Sequence, residues 1–97
     1  MTYALLYHPD VAARDLPPIA RDMQERIRRA IEHRLTSEPA RYGKPLRYSL
    51  KALWSFRVGD YRIVYTVRAR EVVILKIGHR RDVYKSLGPR ITSIIKL

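Results

Sequence analysis

The spacing of apolar residues changes once along this chain, from a helical period to a strict alternation. Ile19, Met23, Ile27, Ala30, Ile31 and Leu35 recur three or four residues apart, with Arg, Asp, Gln and Glu between them. That spacing predicts an amphipathic helix over about 19–35, packed by one stripe on a sheet. Thr36-Ser37-Glu38-Pro39 stops it. Upstream, Tyr3–His8 is apolar and aromatic and ends at Pro9, which reads as a first strand. Asp10 is placed to cap a short helix over Val11–Leu16, ended by Pro17-Pro18. Ala40–Lys51 contains Gly43 and Pro45 and reads as an irregular basic loop.

Beyond the loop the period is two. Trp54, Phe56 and Val58 share one face of a strand, and Ser55 and Arg57 the other. After the turn signal Gly59-Asp60, Tyr61, Ile63, Tyr65 and Val67 face one way and Arg62, Val64, Thr66 and Arg68 the other. Arg70-Glu71 closes a second turn. Val72–Ile77 is apolar on both faces apart from Lys76, which predicts a central strand. The order strand, helix, helix, then three strands joined by short turns predicts an α+β fold. Its core is a small twisted antiparallel sheet with the two N-terminal helices packed on one face. The expected organisation is one domain over 1–97, with a basic sheet face at about 41–87. An apolar tail follows at 88–97, which reads equally as an edge strand or a short helix.

Composition narrows the class. With 97 residues there is room for one modest core. Cysteine is absent, which excludes disulfides, thiolate metal sites and cysteine nucleophiles. The longest wholly aliphatic run, Val72–Leu75, is far too short to span a bilayer, and the N-terminal residues lack a basic n-region. A soluble cytoplasmic protein with no membrane span is therefore expected.

Charge points to a partner. Lys and Arg total 20 against 9 Asp and Glu, a net charge of +11. Residues 1–40 hold six Arg and six acids, so the whole excess lies in residues 41–97, with fourteen basic residues and three acids. A basic face of this kind attracts polyanions and releases their counterions. Nucleic acid and an acidic protein partner both fit.

The alternation also carries chemistry. If the aromatic faces pack under the helices, Arg57 and Arg62 emerge together on the opposite face, on adjacent strands. Two close guanidiniums form a candidate phosphate cradle; the plainer reading is a solvated face with both arginines paired to Asp60 or Glu71. Gly78-His79-Arg80-Arg81-Asp82-Val83-Tyr84 follows the central strand and sets an imidazole and a phenol beside two guanidiniums. Taken singly, His79, Arg81 and Tyr84 read as ordinary surface or core-edge residues. His8, His33 and His79 are scattered and no His-x-x-His or paired-carboxylate spacing occurs, so no metal or other cofactor is expected.

Arg57-Val58-Gly59-Asp60-Tyr61-Arg62-Ile63-Val64-Tyr65, a central strand and then Gly78-His79-Arg80-Arg81-Asp82-Val83-Tyr84 together resemble the RelE branch of the RelE/ParE toxin superfamily. Pro39 through Gly43-Lys44-Pro45-Leu46, Tyr7 to Pro9 and Asp15-Leu16 extend the resemblance to about residues 3–87. The resemblance implies a type II toxin–antitoxin toxin that cleaves messenger RNA in the ribosomal A site without a metal. In that chemistry the ribose 2′-hydroxyl attacks the neighbouring phosphate. The products are a 2′,3′-cyclic phosphate and a 5′-hydroxyl. The implied partners are a cognate RelB-like antitoxin, the 70S ribosome and A-site mRNA. By position, Arg62 holds the scissile phosphate and Arg57 and Arg80 assist. Tyr84 stacks on a base or moves a proton, and His79 is a proton-transfer group. Lys44, Arg47, Lys51, Arg81 and Lys85 are the implied RNA-binding residues. Ser55 stands where some relatives carry a lysine, which leaves His79, Tyr84 or Lys51 as the base. The alternatives are a ParE-like inhibitor of DNA gyrase, a non-catalytic RNA- or ribosome-binding module, and a degenerate toxin.

Overall fold

The computed structural model describes residues 2–46, 53–85 and 87–95, the side chains of 93–95 excepted. Arg47 and Lys51 lie outside the described residues. Five strands form one sheet: β1 (Ala4–Tyr7), β2 (Lys44–Pro45), β3 (Leu53–Val58), β4 (Tyr61–Arg68) and β5 (Glu71–His79), in the order β1-β5-β4-β3-β2. The β3-β4-β5 meander is antiparallel, as the short turns require. β1 differs from the expectation of a wholly antiparallel sheet: it pairs parallel with β5, Ala4 opposite Glu71 and Tyr7 opposite Ile74. The helices between β1 and β2 supply the long crossover that a parallel pair needs. Lys44-Pro45, inside the expected loop, pairs with Ser55 and Trp54 as an edge strand.

Helix α1 (Arg21–Ala30) continues into a wider π-type turn at Ile31–Leu35, and a similar turn spans Val11–Asp15. Asp10 makes no side-chain cap there, contrary to its sequence role; its amide donates to His8 Nδ1 at 3.1 Å. A short helix α2 (Pro39–Tyr42) leads into β2. Ile27, Ile31 and Leu35 pack on Phe56, Val58, Ile63, Tyr65, Val72, Ile74 and Ile77 to make the main core. This is the aromatic face that the alternation assigns to the helices.

The opposite face is not wholly open. Val64, Val73 and Leu75 form a second core with Leu53, Val83 and Leu87. The last of these opens helix α3 (Leu87–Ile95), so the described part of the tail is a helix. Alternation lets β5 serve both cores, and a bulge in the β4–β5 ladder, where Val64 faces Lys76 but Tyr65 faces Ile74, shifts its parity. Ile74 and Ile77 join the same core although they are three apart in the chain. Among the described residues no helix is long and apolar enough to cross a membrane.

Candidate active site

The hairpin fixes the first two groups. Arg57 and Arg62 are directly paired across β3 and β4, and Gly59 supplies the positive φ, 59°, that their tight turn uses. Arg57 Nε donates to the Gly59 carbonyl at 3.3 Å, and Arg62 Nη1 donates to the same oxygen at 3.3 Å and to Tyr61 O at 3.1 Å. Neither uses Asp60 or Glu71; the described partner of Glu71 is Arg68 at 3.9 Å. Both guanidiniums are thus gathered around one backbone carbonyl, with N–H groups left over for an anion.

The C-terminal motif folds back over this face. Asp82 and Val83 amides donate to His79 O at 2.9 and 3.0 Å, and Val83 is buried in the second core. A side chain at Gly78 would come within 3.3 Å of Val83 Cα, so glycine permits this close return. The return brings the half-exposed Tyr84 to Ser55, with its hydroxyl 3.3 Å from Ser55 Oγ. Lys44 pairs with Ser55 from the other side. Lys44, Ser55, Arg57, Arg62 and Tyr84, with Tyr42 and Leu46, line one cleft of about 330 Å³. Three cations and no carboxylate are among its described walls. A lysine therefore stands beside Ser55, contributed by β2 rather than β3.

The remaining sequence candidates fall elsewhere. His79 does not reach the cleft: Gly78 is the residue opposite Arg62, so alternation turns His79 to the other face. There its ring meets Tyr61 edge-on at 5.8 Å, and its Nδ1 accepts the Arg81 amide at 3.2 Å. Arg80 is exposed just past β5, its amide donating to Asp60 O at 2.8 Å, which ties the motif to the hairpin turn. Arg80 and Arg81 are not walls of the cleft, and Lys85 pairs with Asp82 at 3.3 Å. Lys76 Nζ donates to Lys85 O; burial, reinforced by Arg90, lowers its pKa from the usual lysine value. Tyr42 is a cleft residue that the sequence reading passed over. Its ring lies 5.6 Å from both the Arg34 and Arg41 guanidinium carbons. An aromatic residue interleaved with basic ones was the available signal.

Comparison with known proteins places the chain in a family. The model of the family described as ParE toxin of type II toxin–antitoxin system, parDE, matches residues 6–84. The chain is 45% identical over 53 residues to Toxin RelG of Mycobacterium tuberculosis, spanning 53% of this chain and 61% of that protein. It is 37% identical over 76 residues to Toxin RelE of the same organism, spanning 76% of this chain and 78% of that one. The crystal structure of the M. tuberculosis toxin–antitoxin complex RelBE2 matches with a TM-score of 0.75 and 32% identity, over 84% of this chain and 95% of that chain. A free double-arginine mutant of E. coli toxin RelE shares the fold, with a TM-score of 0.66 at 15% identity, over 99% and 97% of the two chains. The chain belongs to the ParE-toxin family, within the RelE/ParE superfamily of type II toxin–antitoxin toxins.

Proposed function

We propose that this toxin is a ribosome-dependent messenger RNA endonuclease that inhibits translation. The observation that carries the reading is the cleft itself: Arg57, Arg62, Lys44 and Tyr84 converge on one exposed sheet face. The RelG and RelE relatives are named toxins, which supports the RelE branch. The 2′-oxygen of one nucleotide attacks the adjacent phosphorus, a new P–O2′ bond forms, and the P–O5′ bond breaks. Arg62, held at the hairpin by two carbonyls, donates to the non-bridging oxygens as negative charge builds on them. Arg57 assists from the facing strand. Lys44 and Tyr84 flank Ser55 and are the groups suited to carry the proton from the 2′-hydroxyl and to the departing 5′-oxygen. The partner that silences the toxin is a RelB-like antitoxin; an acidic or amphipathic segment suits a surface carrying +11.

Brief induction in cells followed by mapping of 5′-hydroxyl transcript ends tests the reading. Cuts confined to translated frames and spaced by codon are expected, and the Arg62→Ala/Tyr84→Ala variant is expected to abolish them while remaining folded. The family model's parDE description favours a second reading, a ParE-like inhibitor of DNA gyrase. Intact transcripts with stalled replication and DNA damage would select it.

A further inference from the structure

A second basic groove, of about 420 Å³, lies between α1 and the β3–β4 hairpin. Arg26, Arg29, His33 and Arg34 come from the helical side and Arg57 from β3. Arg26 reaches over the hairpin turn: its Nη1 would lie 3.7 Å from a Cβ at Gly59. Arg29 pairs with Glu25 at 3.3 Å, but Arg26, Arg34 and Arg57 have no carboxylate partner among the described residues. Arg57 is a wall of both this groove and the cleft.

We propose that this groove holds backbone phosphates of the RNA strand whose scissile junction sits in the cleft, so that the two form one track joined at Arg57. The proposal rests on the reading of the cleft as an RNA site. A phosphodiester chain suits the groove better than an acidic peptide. Its apolar lining is limited to Ala30 and Val58, with no aromatic or large aliphatic pocket of the kind that anchors protein interfaces. Guanidinium forks match phosphate oxygens directly. As a row of phosphate contacts the groove carries no sequence preference of its own.

Binding of uncleavable 2′-O-methyl RNA, measured against salt, tests this with a trinucleotide that fills only the cleft and a dodecamer that reaches both. The Arg26→Ala variant changes one exposed group that is not among the walls of the cleft. It is expected to bind the trinucleotide as the parent does. For the dodecamer, its salt slope is expected to fall by about 0.7, for one single-strand phosphate no longer neutralised, with affinity near 0.1 M salt down about threefold to fivefold. Arg26→Lys is expected to restore most of the slope. An unchanged dodecamer slope overturns the proposal, and so does an equal loss on the trinucleotide. So does a Glu-rich peptide that loses binding to the alanine variant while the dodecamer does not. Absence of 5′-hydroxyl ends in cells would sink the nuclease reading yet leave the slope difference standing; equal slopes would do the reverse.

Discussion

The space that a side chain at position 43 would need is filled by a phenol. A Cβ on Gly43 would lie 1.8 Å from Tyr65 Oη, and that hydroxyl donates to Pro39 O under the main core. Gly43→Ala is therefore expected to destabilise the fold by about 1–3 kcal/mol in urea titration. In a Tyr65→Phe background the penalty shrinks, because the colliding atom is gone. Burial pushes the Tyr65 phenol up to about 12 from its ordinary value of 10.0. The unfolded chain thus ionises first as pH rises. The stability this group contributes is intact below pH 10 and declines towards pH 12, by about 1.4 kcal/mol per pH unit. Tyr65→Phe is expected to flatten that part of the alkaline unfolding curve; an identical curve would refute the assignment. Ala69 holds φ at 49° in the β4–β5 turn. A left-handed alanine is strained, so Ala69→Gly is expected to raise stability by about 1 kcal/mol. At this scale the alternation made the Arg57–Arg62 pair legible. The orientation of His79 was not, because Lys76 is the one polar residue inside the strand leading to it, too few to show where the alternation slips.

Strand β1 is four residues long, and its length shapes what happens at the sheet edge. Its pairing with β5 ends at Ile74, which leaves the outer edge of β5 without a backbone partner among the described residues from Leu75 onward. Two side chains complete it. Asp15 Oδ2 accepts the Ile77 amide at 2.9 Å, and Arg90 Nη1 donates to Leu75 O at 3.1 Å. The two then join each other, Nη1 to Oδ2 at 2.6 Å and Nη2 to Oδ1 at 2.8 Å, both groups buried. This clasp fastens α3, the N-terminal turn and the central strand together. Arg90→Ala is expected to cost about 3–5 kcal/mol, since it strands a buried carboxylate. It is also expected to speed hydrogen exchange at Val83 and Tyr84, whose segment α3 helps to cover. Exchange confined to β1 would show that the clasp serves the edge alone. The helical stripe and four of the five strands were plain in the sequence. The clasp was not, because its members lie 75 residues apart. Nor was the second core: a β5 that is apolar on both faces apart from Lys76 says that both are covered but not by what.

Charge is the property of the whole molecule that sequence counting reads only in part. The excess of +11 is plain, and so is the zero sum over residues 1–40. That sum conceals a separation in space. On α1 and its continuation, Arg28 bridges Glu25 and Glu32, and those carboxylates raise its pKa further above the usual arginine range. Arg26, His33 and Arg34 are left to face the β3 hairpin with Arg57. A segment whose charges sum to zero thereby adds a cationic wall to an already basic molecule. Two opposing effects of salt follow. Screening weakens exposed pairs such as Arg28–Glu32 at 2.9 Å. It also relieves repulsion among the unpaired cations of the groove and cleft, which destabilises the folded chain. With so large an excess the second effect prevails. Raising sodium chloride from about 0.05 to 0.5 M is expected to restore on the order of 1 kcal/mol, a rise in Tm of about 4–8 °C by calorimetry. The Arg26→Ala/Arg34→Ala variant is expected to begin at a higher Tm in low salt and gain less from the added ions. A Tm that falls with salt in the parent protein would mean that the helix ion pairs, not the cationic track, dominate its electrostatics.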